Sequence, residues 1–404
     1  MWVSRRYIWC GLIIALAVAC QESITAPGAC PDYCPPSRVD VFDSILKSSI
    51  DRDSSFRGYV PAHAAEGLQL TTQGSSLESR AVLRFFRFPE ELTQGVVGAG
   101  DSIVGLDSLR LDVAVRRRSP DVLGMELVVH RLPVSVDSQT TYADVVPFFH
   151  DSTIIATLAV PDTLASGKLS ARLDASAFPT FESDSLRAAV GVALRADSAG
   201  FLELGTLESD LPAVLNRFVK VDSAGGETAE GTDARPTELD SYVALAPPSP
   251  GPDALAVGGI PSARAILRFD MPRAIVDSSD VVRATLILVP DGAAYGAPGD
   301  TFSVRAEGLT ADFGPKSPLV PPTAETIALG AARVGVGASD TVRIDITHLV
   351  RPWRVDTLLA RSLMLRIVPE GAILGEIRFG SSRAAIGAPA IRVTYMPLFP
   401  GVSQ

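Results

Sequence analysis

Arg80-Ala-Val-Leu-Arg-Phe85 and Arg264-Ala-Ile-Leu-Arg-Phe269 are the same hexamer except for Val82 against Ile266. Each alternates Ala, Leu and Phe with larger or charged residues, the period of a half-buried strand. An apolar residue and proline follow both, Phe88-Pro89 and Met271-Pro272. Four more pairs of segments match in the same order. Leu106–Val115 resembles Val281–Val289, and Ala171–Phe178 resembles Val342–Leu349. Val190–Arg195 resembles Leu363–Ile367, and Phe201–Gly205 resembles Glu376–Gly380. Ordered similarity over five segments reads as an internal duplication. The segments are short, rich in Val, Leu, Ile and Phe, and bounded by Gly, Pro, Asp and Ser, which predicts antiparallel strands of sandwiches or jelly rolls.

The breaks between these bodies follow composition. Residues 20–38 and Ser223–Thr237 lack an apolar period and are rich in Pro, Ser, Gly and acids, as linkers are. The expected division is a signal segment 1–19, a linker 20–38, a first sandwich 39–222, an interdomain linker 223–237, a second sandwich 238–397 and a tail 398–404. The fold class is all-β, two tandem antiparallel β-sandwiches. One helical turn is expected in Asp345–Trp353, with Thr347 as cap and Pro352 as stop.

The second body resembles the DNRLRE (disaggregatase-related) domain, through residues that occur in the family's order. These are Ala265-Ile-Leu-Arg-Phe-Asp270, Val282-Arg-Ala-Thr-Leu-Ile-Leu288, Ile344-Asp-Ile-Thr347 with Trp353, Phe379-Gly-Ser-Ser382 and Pro389-Ala-Ile-Arg-Val-Thr-Tyr395. The resemblance spans about Leu239 to Pro397. It implies a β-sandwich of an exported cell-surface protein and says little about function, since the motif residues describe core and turns. The first body is similar to a degraded copy. Asp174 persists there, Ser176 replaces Thr, no Trp follows, and the closing strand lacks Pro and Tyr.

Residues 12–20, Leu-Ile-Ile-Ala-Leu-Ala-Val-Ala-Cys, follow Arg5 and Arg6. A basic start, about ten apolar residues and small residues before a cut describe a secretory signal. The run is short for a membrane-spanning helix, which needs roughly 20 apolar residues. The ending on Cys20 resembles the lipobox of bacterial lipoproteins, although Ala17 stands where many lipoboxes have Leu. That resemblance implies cleavage before Cys20, acylation of its sulfur and new amine, and anchoring in the cell envelope. Gln21 in place of Asp points to the outer membrane. Ordinary secretion and an uncleaved anchor are the other readings. Cys30 and Cys34 then remain in Cys-Pro-Asp-Tyr-Cys, and an oxidising compartment favours a disulfide between them.

The chain carries 36 basic and 46 acidic residues. Losing residues 1–19 removes Arg5 and Arg6 and no acid, so the excess of acids grows from ten to twelve. Such a surface repels nucleic acid and anionic headgroups. Hydrophobic content of 47% with 20% charged residues indicates packed cores rather than a disordered stalk.

No motif for catalysis emerges. His63, His130, His150 and His348 form no zinc spacing and read as surface or turn residues. Asp51-Arg-Asp53 starts like a calcium loop, but Gly58 comes late and Ala62 stands where the bidentate Glu belongs. Asp277 with Asp280, and Asp291 with Asp300, flank loops that could hold a structural cation. Asp174 and Asp345 recur at equivalent positions and read as acceptors for backbone amides at turns. Trp353 reads as packing over a sheet edge. Tyr59, Tyr142, Tyr242 and Tyr295 read as scattered loop residues, poor material for a sugar platform. The expectation is a non-enzymatic envelope lipoprotein without cofactor or metal, held to the membrane by its N-terminal lipid. The alternatives are a carbohydrate- or cell-wall-binding module, or an accessory subunit of an envelope complex.

Overall fold

The computed structural model describes residues 40–398, apart from 48, 73–76, 90, 93–100, 175, 177–186, 223–227, 246–248, 322–329 and 357. Cys20, Cys30 and Cys34, with the expected signal, linker and most of the tail, lie outside the described residues. The fold is all-β, with sandwich-like antiparallel sheets.

The chain opens with β1 (Phe42–Leu46) and β2 (Ile50–Arg57). The first body follows: β3 (Leu68–Thr71), β4 (Ser79–Phe85), β5 (Glu91–Leu92), β6 (Asp101–Arg118), β7 (Glu126–Arg131), β8 (Ile154–Ala159), β9 (Gly167–Leu173), β10 (Ala189–Arg195), β11 (Phe201–Leu204), β12 (Val214–Asp222) and β13 (Thr228–Ala244). The second holds β14 (Ala254–Gly258), β15 (Ala263–Phe269), β16 (Ser279–Leu288), β17 (Thr301–Gly308), β18 (Ala331–Gly335), β19 (Val342–Asp345), β20 (Ser362–Val368), β21 (Glu376–Gly380) and β22 (Ala390–Pro397). Single helical turns join some of them: α1 (Tyr142–Val145), α2 (Arg273–Val276), α3 (Thr347–Val350) and α4 (Pro352–Val355).

The two bodies pair their strands alike. The matching hexamers are β4 and β15; β4 pairs β10 as β15 pairs β20. Outward from there, β10–β7–β8 corresponds to β20–β17–β18. In the facing sheets, β6 pairs β9 and β12 as β16 pairs β19 and β22. The alternation in the hexamers does what it predicts. Ala81, Leu83 and Phe85 enter one core, and Ala265, Leu267 and Phe269 the other.

One segment of chain in each body crosses between its sheets. In the first body β13 does so without a break: Thr228–Pro236 pairs β12, then Thr237–Ala244 pairs β4. The counterpart in the second body comes from the far end of the chain. There β1 pairs β22, Phe42 opposite Tyr395, and β2 pairs β15, Ile50 opposite Phe269. β14 meets β15 only at Gly258 and Ala263. Beyond that point β2 lies along β15, while Arg57 and Asp53 bond Glu376 and the Ser382 amide at and just after β21. The first body is therefore inserted between β2 and β14 of the second.

This corrects the expected boundaries. Residues 42–57 belong to the second body, not the first, and Thr228–Thr237 is strand rather than linker. Composition misled because that half of β13 is held by backbone pairing to β12 and exposes Glu230, Thr232 and Ala234. Pro352 begins α4 rather than ending a helix, since the first helical position needs no N–H. Thr347 is not the cap; it is the first residue of α3, and its hydroxyl accepts the Ala284 amide at 2.9 Å.

Candidate functional site

Buried charge gathers where the two bodies meet. Asp300, just before β17, is 4% exposed and belongs to the second body. From the first body Arg117 on β6 donates to both its carboxylate oxygens, at 2.8 and 3.0 Å. Gln69 on β3, fully buried, donates to Asp300 Oδ2 at 2.6 Å, and its carbonyl oxygen accepts the Leu374 amide at 2.6 Å. Arg117 also donates through Nε to Glu203 Oε2 on β11 at 2.6 Å, and Arg116 pairs the other Glu203 oxygen at 3.1 Å. Phe201 packs its ring 4.8 Å from the Arg117 guanidinium. A side chain on Gly67 would collide with the Glu203 carboxylate, its Cβ falling 2.5 Å from an oxygen.

The same junction holds Tyr242, whose hydroxyl donates to the Gly371 carbonyl at 3.0 Å, and Leu374, whose side chain joins the first body's core. Burial pushes the Glu203 carboxyl up, against the pull of Arg117 and Arg116. Burial would lower Arg117, but its bonds to Asp300 and Glu203 more than restore it and hold the guanidinium charged. Both carboxylates are thus bound by one cation. That arrangement clamps the two bodies together through Arg117 and Asp300.

Of these residues, sequence reading singled out Asp300 and Tyr242. Asp300 faces a guanidinium and an amide rather than a cation loop, and Tyr242 lies in β13 rather than in a loop. Gln69, Arg117 and Glu203 were missed. A signal existed: Glu203 interrupts Phe-Leu-Glu-Leu inside an alternating strand, and Arg116–Arg118 closes another.

Elsewhere the candidates remain apart. Asp345 accepts the Thr347 amide at 2.9 Å, and Asp174 accepts the Ser176 amide at 3.0 Å, as the turn reading expects. Burial would raise the Asp345 carboxyl, but the hydroxyl and amide of Thr347 outweigh it and hold it low. Trp353 is buried in the second core, 5.4 Å from the Phe269 ring. Tyr59, Tyr142 and Tyr295 each have an arginine over the ring: Arg264, Arg80 and Arg378 at 4.2, 5.2 and 5.0 Å. Asp51 pairs Arg52 at the surface, and Asp53 is buried against the Ser382 amide. Asp277 lies 4.0 Å from Arg361. Asp291 and Asp253 line a cleft of about 390 Å³ with Pro252, Ala384, Ile386 and Gly387. Among the described residues no group of three or more His, Cys, Asp or Glu gathers as a metal site.

His63 lies in a helical turn, His150 is exposed beside Ser152, and His348 sits in α3. His130 departs from the surface reading. It is buried on β7, its Nδ1 is 3.0 Å from the Thr153 hydroxyl, and its ring lies 4.8 Å from that of Phe149. Burial, helped by the Arg80 charge, pushes its pKa down to about 4. The unfolded chain takes that proton near 6.5, so it binds more protons than the fold between the two values. Stability attributable to His130 is complete above pH 6.5 and is lost as pH falls towards 4, by about 3 kcal/mol at most. Urea titrations across that window should show the slope in the wild type and a flatter profile for His130→Leu. Equal slopes would contradict it.

No family model matches the chain, and no curated protein matches it either. The motif segments Ala265–Asp270, Val282–Leu288, Ile344–Thr347 with Trp353, Phe379–Ser382 and Pro389–Tyr395 fall on or beside β15, β16, β19, α3, α4, β21 and β22 of the second body.

Proposed function

We propose that this chain is a lipid-anchored, non-catalytic protein of the bacterial cell envelope, built as one rigid unit from two fused β bodies. The observation that carries the reading is the apolar stretch Leu12–Ala19 ending on Cys20 behind Arg5 and Arg6. The clamp at Asp300, Arg117 and Glu203 supports the rigid-unit part, because it joins the bodies through two buried carboxylates, Asp300 and Glu203. The DNRLRE-like motif order in the second body supports a place on the cell surface. A glycan-binding role would need exposed aromatic platforms. Among the described residues Trp353 is buried, three tyrosines carry an arginine over the ring, and the exposed Phe42, Phe86 and Phe313 are phenylalanines without a polar handle, which favours the structural or interaction role over that alternative.

The anchor has a direct test. Cells fed a labelled fatty acid should acylate the wild-type protein, and Cys20→Ser should remove the label and release the protein from the membrane fraction. Equal labelling of both would overturn the lipoprotein reading.

A further inference from the structure

Resting on that anchoring reading, we propose that the end of the second body where residues 40–42 enter lies directly against the bilayer, through an apolar rim of Val41, Phe42, Val282, Val355, Leu358 and Leu398. All six are exposed, Val355 by 80% and Leu358 by 92%. Their common location follows from the pairing. Phe42 stacks on Tyr395 with ring centroids 5.6 Å apart, and Tyr395 lies opposite Val281 of β16. The Leu398 amide donates to the Ser278 carbonyl at 2.9 Å. Arg351, at the start of α4, donates to the carbonyls of Val281 and Val282 at 2.8 and 3.2 Å. The starts of β1 and β16, the end of β22 and the helical turn therefore share one end of the sandwich.

The first body is fixed at the other end. β2 runs from Ile50, opposite Phe269, to Arg57, opposite Ala263, and the junction residues Asp300, Gly371 and Leu374 lie beyond that far end. Among the described residues the first body thus lies away from the rim. The tether also leads to this end. Val41 follows Cys20 by 21 residues, a span of roughly 70 Å fully extended and roughly 25 Å as a flexible coil. Whatever covers the rim must compete with lipid held that close, so an acyl-chain surface is the occupant. Charge agrees. The chain as a whole is strongly acidic, yet here charge is close to balanced, with Arg283, Arg351, Arg354, Arg361 and Arg392 against Asp40, Asp43, Asp277, Asp280 and Asp356.

The processed lipoprotein carries one tryptophan, because Trp2 and Trp9 leave with residues 1–19. Trp353, two residues before Val355 and buried just behind the rim, is a native reporter close to it. The protein is reconstituted into phosphatidylcholine vesicles with ordinary or brominated acyl chains, floated, and its emission compared. The expected result is co-flotation with loss of Trp353 emission in the brominated vesicles. Val355→Asp with Leu358→Asp should still float but lose the quenching. Both side chains are solvent-exposed, so folding should survive; Val41→Asp, across the rim, is an independent variant with the same expected direction. Ile386→Asp, at the opposite end, should stay quenched. Flotation without quenching in the wild type, or quenching unchanged in both rim variants, would overturn the rim while leaving the anchor intact. Failure to float would overturn the anchor, and the rim with it.

Discussion

Deleting residues 40–57 is expected to unfold the second body and spare the first. The deletion removes β1 from the edge of β22 and β2 from between β15 and the β14–β21 pair. It uncovers the core face that Ile50 and Leu46 close. It also takes one of two arginines from the fully buried Glu376, which keeps Arg378, and leaves the Ser382 amide without its bond to Asp53. Burying an unpaired polar group costs about 1–3 kcal/mol, and truncating a buried Ile costs about 2–5 kcal/mol. Together these approach the whole stability of a domain, about 5–15 kcal/mol. The Trp353 emission of the truncated chain should shift to that of a solvent-exposed indole, and proteolysis should leave a fragment near residues 59–245. Ile50→Ala is the graded form, with an expected loss of about 2–4 kcal/mol in urea unfolding. A truncated chain with native Trp353 emission would contradict the assignment of these strands.

Gln69→Ala is expected to be the most damaging single change at the junction. One side chain bridges the bodies twice, donating to Asp300 and accepting from the Leu374 amide, and both partners are buried. Alanine leaves an N–H and part of a carboxylate without partners, about 1–3 kcal/mol each and more for the charged group. The loss should be about 2–5 kcal/mol and should also loosen the coupling between bodies. Wild type should unfold in one transition, whether followed by Trp353 or by far-ultraviolet circular dichroism. The variant should show Trp353 and the global signal separating. A loss within the roughly 0.5 kcal/mol usual for a surface change would mean that the clamp carries little.

The strand pattern was legible in the sequence because a period of two survives wherever one face is buried. Both hexamers and at least part of each further matched segment fall on strands, and β4, β6, β9 and β10 pair as β15, β16, β19 and β20 do. The division of the chain was not legible. β2 reads Ile-Asp-Arg-Asp-Ser-Ser-Phe-Arg, which is polar because backbone bonds and ion pairs hold it, so it resembled the start of a calcium loop more than a strand. The near half of β13 failed for the same reason. Pairing partners hundreds of residues apart leave no local trace, and the hexamer match could not say which body an N-terminal strand would close. The clamp was missed because arginine and glutamate in strands ordinarily face water. Only the packing of one body on the other puts Arg117, Glu203 and Gln69 together. The turn acceptors Asp174 and Asp345 were legible because an Asp two residues before Ser or Thr makes a local bond.

The exchange of the N-terminal strands into the distant sandwich is tested most directly by disulfide trapping. Asp43 and Thr394 lie opposite each other on β1 and β22, with side-chain oxygens 3.3 Å apart. With Cys30 and Cys34 changed to Ser, Asp43→Cys with Thr394→Cys should form an intramolecular disulfide under mild oxidation, seen as a faster-migrating band that reduction reverses. A chain that stays reduced, or that cross-links only between molecules, would contradict the fold described here.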